Sequence, residues 1–190
     1  MIHGAAYQHQ YLDGFGDEVV ESLPIKGPVL VNLEHTGTDN FIVWAYDKFG
    51  NKTSLIANSI GNYSGQRLLY ASKNARVYGF EVTADGPWSM QFEPLSQAGY
   101  WSDNSNGSSF GGSGDQVIRV PSKTKGRNKL SFDFVGEDNF IVWSYSSSGK
   151  RLDLKANEIG DYSGTTLFGS GVRYLEIQGE GGSWTLTRTK

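Results

Sequence analysis

Hydrophobic and polar positions along this chain alternate in short bursts and keep no helical period. Val29, Val31 and Leu33 share one face of a run, and Val77, Gly79 and Glu81 oppose Tyr78, Phe80 and Val82 in another. β-Branched and aromatic residues cluster near 18–23, 29–35, 40–46, 52–57, 66–71, 76–83 and 88–93. Turn chemistry separates these runs: Lys26-Gly27-Pro28, Gly37-Thr38-Asp39, Phe49-Gly50-Asn51, Gly61-Asn62-Tyr63 and Asp85-Gly86-Pro87. Short strands punctuated this often predict an antiparallel β-sandwich or barrel, with little helix. The run Phe41–Tyr46 breaks the alternation. Phe41 and Val43 fall on one side, and Ile42, Trp44 and Tyr46 on the other, so both faces are apolar. Such a strand is normally covered on both sides. Loops, a second domain, or a ligand stacked on an exposed aromatic platform are the three ways to cover it.

The same pattern occurs twice. Asp39-Asn40-Phe41-Ile42-Val43-Trp44-Ala45-Tyr46 returns 99 residues later as Asp138-Asn139-Phe140-Ile141-Val142-Trp143-Ser144-Tyr145. Between 39–65 and 138–164, 16 of 27 positions are identical. The match extends upstream, where Gly16-Asp17-Glu18-Val19-Val20 answers Gly114-Asp115-Gln116-Val117-Ile118. Downstream, Phe80-Glu81-Val82 and Trp88 answer Leu175-Glu176-Ile177 and Trp184. A unit of about 80 residues can enclose its own core. The expected organisation is an N-terminal arm (1–13), a first β-sandwich (14–95), a Gly/Ser/Asn-rich linker (96–111) and a second β-sandwich (112–190), each with about seven to eight strands. Tyr100 and Trp101 interrupt the linker composition and are expected to dock on a neighbouring surface.

Composition sharpens this picture by exclusion. The 25 glycines and 25 aromatic residues suit an all-β chain. Seventeen basic against 20 acidic residues give no concentrated basic stripe, so nucleic acid is not an expected partner. Cysteine is absent, which excludes disulfides and thiolate metal sites. No apolar run approaches the roughly 20 residues of a membrane span. The N-terminus Met1-Ile2-His3-Gly4-Ala5-Ala6 lacks the basic and apolar regions of a signal peptide, so the expectation is a virion or cytoplasmic protein as written, or an extracellular one if exported by another route.

The order Gly-x-Gly-Asp-x-Val, Asn-Phe-x-Val-Trp, Ile-Gly-x-Tyr-x-Gly and a closing Gly-x-Trp-x-Leu resembles a repeat of bacterial, often actinobacterial, proteins. It is loosely similar to the pre-peptidase C-terminal domain and to jelly-roll carbohydrate-binding modules. The resemblance implies two jelly-roll-like sandwiches. Its motifs are structural, and the fold hosts many roles.

Candidate chemistry is sparse. His3, His9 and His35 do not recur in the second copy, and no nucleophile and orienting acid stand at readable spacing beside them. Asp39, Asp138, Asp17 and Asp115, near Glu34, Asp133 and Glu137, carry oxygen ligands of the kind a structural calcium takes. The competing reading is that these aspartates cap turns through backbone N–H groups. Gly14-Phe15-Gly16 and Gly112-Ser113-Gly114 do not open a helix, which argues against a phosphate loop. Tyr63 and Tyr162, in glycine-flanked turns, either present a ring to a partner or fold back as a buried corner. Trp88 and Trp184 are expected to fill cores. Trp44, Trp143, Tyr63, Tyr162, Tyr100 and Trp101 are therefore the contact candidates. Duplication without catalytic groups predicts a non-enzymatic binding or assembly protein, such as a virion decoration or tail component, or a surface or filament subunit. A carbohydrate-binding tandem is the alternative, since two weak sites on one chain gain avidity. The expected partners are protein chains, including further copies of itself, or a glycan.

Overall fold

A computed structural model describes residues 10–71, 76–102, 107–121 and 128–189. His3 and His9 lie outside the described residues. The chain divides into two compact units: residues up to 97, less Gly65–Leu68, and Gly65–Leu68 with 98–190.

Eight strands build the first sandwich: β1 (Gln10–Phe15), β2 (Glu18–Ile25), β3 (Gly27–His35), β4 (Asn40–Tyr46), β5 (Lys52–Ile60), β6 (Tyr63–Ala71, whose Gly65–Leu68 group with the second unit), β7 (Val77–Thr83) and β8 (Pro87–Pro94). They form two four-stranded sheets, ordered β1-β8-β3-β6 and β2-β7-β4-β5. Successive strands alternate between the sheets except at the β4–β5 hairpin. Eight strands wound this way make a jelly roll.

The core of the first unit follows from the pleat. Val29, Val31 and Leu33 of β3, Phe41, Val43 and Ala45 of β4, and Met90 and Phe92 of β8 pack together with Phe80, Val82 and Trp88. Val77 joins this core beside Phe80 and Val82. The sequence pattern sets Val77 opposite them; in the structure it shares their core, at the end of β7 where the pairing with β2 shifts register between Glu21 and Ile25.

The second unit repeats the plan with β10 (Ser108–Ser113), β11 (Gln116–Arg119), β12 (Lys129–Val135), β13 (Asn139–Tyr145), β14 (Arg151–Ile159), β15 (Tyr162–Leu167), β16 (Tyr174–Gln178) and β17 (Ser183–Thr189). One sheet runs β10-β17-β12-β15; the other runs β14-β13-β16-β11 and gains β9 (Gly99–Tyr100), parallel to β11, at its edge. Phe132, Phe134, Phe140 and Trp184 fill the centre with Val142, Leu130 and Leu186. A 3-10 turn, Leu95–Gln97, is the one helical segment among the described residues.

Two strands carry little strand signal in their composition. Gln10–Phe15 pairs along its whole length with β8. Ser108–Ser113 pairs with β17 in the same way. Gly and Ser weaken a strand signal, yet strand preference depends on context, and a partner edge supplies the hydrogen bonds that such a segment needs.

Candidate functional site

Alternation on β4 sends Phe41, Val43 and Ala45 inward and leaves Ile42, Trp44 and Tyr46 on the outer face of the β2-β7-β4-β5 sheet. Trp44 lies between Glu81 of β7 and Leu55 of β5, half-buried, with Lys52 Nζ 5.3 Å from its ring centre. The second unit repeats the arrangement. Trp143 lies between Glu176 and Leu154, half-buried, with the Arg151 guanidinium 4.3 Å from the ring. Each cation occupies a ring face, a contact that contributes about 0.5–1 kcal/mol at an exposed site.

The two glutamates beside these tryptophans have different surroundings. Glu81 is about half-exposed, and its Oε1 accepts from Lys52 Nζ at 2.8 Å. Glu176 is buried in the second unit. Its Oε1 accepts from Arg67 Nε at 3.0 Å and from Leu68 N at 3.2 Å, and its Oε2 takes the Tyr145 hydroxyl. Arg67 Nη1 also donates to Asp115 Oδ2 at 3.1 Å. Two further bonds seat the segment: Gln66 N donates to Asp115 O, and Val117 N donates to Gln66 Oε1. Burial, then the charge of Glu176, pushes the Tyr145 hydroxyl well above the usual phenol range. In the first unit, Tyr46 donates instead to the carbonyl of Val20 at 3.2 Å. Sequence reasoning missed Arg67, Glu81 and Glu176. The available signal was an acidic residue kept inside an apolar strand in both copies.

The other aromatic candidates differ in burial. Tyr63 is buried against Phe41, their ring centres 5.6 Å apart. Tyr162 is half-buried between Phe132 and Phe140. Trp101 is buried in the second core, 6.1 Å from Phe110, while Tyr100 stays exposed under the Arg119 guanidinium at 4.5 Å.

The aspartates divide into two kinds. Asp17 Oδ1 accepts from Ala84 N at 3.0 Å, and Asp115 Oδ1 from Gly179 N at 2.9 Å, which is the same cap in each unit. The glycines before them, Gly16 and Gly114, hold φ of 71° and 64°, the left-handed region that favours glycine. Asp39 and Asp138 instead offer backbone carbonyls, to Gly61 N and Gly160 N. The side chain that caps the turn at Asp39 is Asp85, whose Oδ2 accepts from Thr38 N, Thr38 Oγ1 and Asp39 N. Among the described residues, no three His, Asp or Glu side chains gather closely enough to hold a metal ion.

His35 is the one histidine among the described residues. Its Nδ1 lies 2.8 Å from the carbonyl of Gly61, which can only accept, so Nδ1 carries the proton. Its Nε2 lies 3.3 Å from Asp85 Oδ1, and its ring stacks on Phe41 at 4.7 Å. The side chain is sealed from solvent. In the second unit Phe134 stacks on Phe140 at the same 4.7 Å, so the histidine stands where a core phenylalanine does.

The fold and the repeated outer face together define a tandem jelly-roll protein. No protein-family model matches the chain, and no curated protein matches it. Among solved structures, the exported protein XepA of PBSX is 10% identical with a TM-score of 0.33, covering 96% of this chain and 86% of that one. Protein PA5104 of Pseudomonas aeruginosa PAO1 is 7% identical with a TM-score of 0.28, covering 95% and 78%. A triple jelly-roll turret protein of an archaeal virus is 10% identical with a TM-score of 0.29, covering 95% and 60%. The fold assignment rests on the strand order and not on these likenesses.

Proposed function

We propose that this chain is a non-enzymatic assembly protein, a decoration or tail component of a particle or a subunit of a surface layer or filament, whose jelly rolls offer outward sheet faces to other protein chains. One observation carries the reading: large apolar side chains are exposed at matched positions in both copies. Ile60 is 75% and Ile159 is 79% exposed, and Leu55 and Leu154 stand exposed beside Trp44 and Trp143. Solvent alone gives no reason to keep the same aliphatic groups outward twice, whereas protein contact does. The surroundings of the one described histidine favour the same reading, because a ring sealed from solvent meets no substrate.

A glycan platform fits less well. A sugar stacking on Trp44 or Trp143 must displace Lys52 or Arg151 from a face of the ring. Sedimentation velocity over a rising protein concentration is the test. Faster species grow with concentration in the natural protein and disappear in the Ile60→Asp/Ile159→Asp variant. A chain that stays monomeric at every concentration, or whose tryptophan fluorescence saturates with soluble glycans, contradicts the proposal.

A further inference from the structure

The two units carry the same socket, filled in one and open in the other. The strand register makes the residues equivalent: Val19 faces Glu81, which faces Trp44, as Val117 faces Glu176, which faces Trp143. Asp17 and Asp115 correspond because each directly precedes its strand, β2 or β11, and Tyr46 and Tyr145 because they end β4 and β13. In the second unit the socket holds Gly65–Leu68, an extended stretch whose guanidinium bridges Asp115 and Glu176. Its backbone is tied at Gln66 N and Leu68 N. Val117 is 1% exposed there. In the first unit Val19 is 66% exposed, Asp17 is exposed and Glu81 is half-exposed. Among the described residues β2 is also the terminal strand of its sheet, whereas β11 has β9 beyond it.

We infer that the face around Val19, Trp44 and Glu81 is a docking site for an extended segment of another protein chain that presents an arginine followed by an aliphatic side chain. This inference deepens the assembly reading and rests on it. Complementarity is the argument. The carboxylates of Asp17, Glu21 and Glu81 outnumber the one cation placed among them, Lys52, and a planar guanidinium forks across two carboxylates as Arg67 does. The aliphatic neighbour covers apolar surface next to Val19. A strand edge supplies main-chain donors and acceptors for an extended peptide. Lys52 holds Glu81 in an exposed pair, a contact worth little in water, so an arriving guanidinium displaces it readily. Tyr46 is turned to the Val20 carbonyl, which leaves Glu81 without the tyrosine that Glu176 has.

The test titrates the full-length, isotope-labelled protein with a synthetic peptide carrying the sequence of residues 62–70, followed by amide shifts. Saturable shifts centred on Val19, Trp44 and Glu81 are expected, with the second unit unmoved. A Glu81→Lys variant of unchanged melting temperature weakens binding by more than about tenfold, because like charges then face each other. A peptide carrying Arg67→Glu is expected not to bind. A flat titration up to about 2 mM peptide overturns the site. So do equal binding of the two peptides, or shifts confined to the second unit. If the titration is flat while sedimentation still shows concentration-dependent species, the docking site falls and the assembly reading stands. If both fail, both fall.

Discussion

At the scale of single residues, the copies place different side chains in one position. Phe134 stacks on Phe140 as an ordinary core contact, whereas His35 stacks on Phe41 and donates from Nδ1 to the Gly61 carbonyl, with Nε2 3.3 Å from Asp85. Asp85 in turn gathers the amides of Thr38 and Asp39, so one partly exposed carboxylate closes a loop. The backbone N–H of Thr38, the Thr38 hydroxyl and the N–H of Asp39 hold that carboxyl below its ordinary value. A carboxyl with a depressed folded pKa stabilises the fold above its unfolded value, about 3.9, and loses that contribution as pH falls through the folded value. Thermal melts between pH 7 and acid are therefore expected to show a flatter acid loss in Asp85→Asn than in the natural protein. Equal slopes contradict this role. His35 was legible as structural from its isolation in the sequence. Its stacking and its Asp85 partner, 50 residues away, were not, because neither lies within reach of local spacing.

Among elements, Arg67 shows how strongly one position on a strand can matter. Its partners Asp115 and Glu176 are both nearly sealed from solvent, so removing the guanidinium leaves two buried carboxylates uncompensated. Arg67→Ala is expected to destabilise the second unit by about 3 kcal/mol in chemical denaturation. Lys52→Ala, which breaks an exposed pair, should cost under about 1 kcal/mol. Similar losses from the two variants contradict the distinction drawn between the filled and open sockets.

Strands differed in how clearly the sequence announced them. β4 and β13 were plain, since an octapeptide with a largely apolar, aromatic-rich run recurs nearly unchanged. β1 and β10 were hidden. Gln-Tyr-Leu-Asp-Gly-Phe has weak alternation, and Ser-Ser-Phe-Gly-Gly-Ser has the composition of a linker. Both are strands because β8 and β17 offer them an edge, a non-local cause that composition does not record. Arg67 was hidden for the same reason, 109 residues from Glu176.

For the whole molecule, duplication gives each unit a closed core and repeats one outer face. Trp88, Trp101 and Trp184 are buried, so among five tryptophans Trp44 and Trp143 are the ones a small quencher reaches. Their accessibility therefore reports directly on what covers that face. Acrylamide quenching of tryptophan fluorescence, measured on dilute and on concentrated, assembled protein, is the decisive measurement. The account predicts that assembly shields the quenchable fraction, and that Trp44→Phe/Trp143→Phe removes it. Quenching that stays the same from dilute to assembled protein, or falls only when polysaccharide is added, contradicts the central claim.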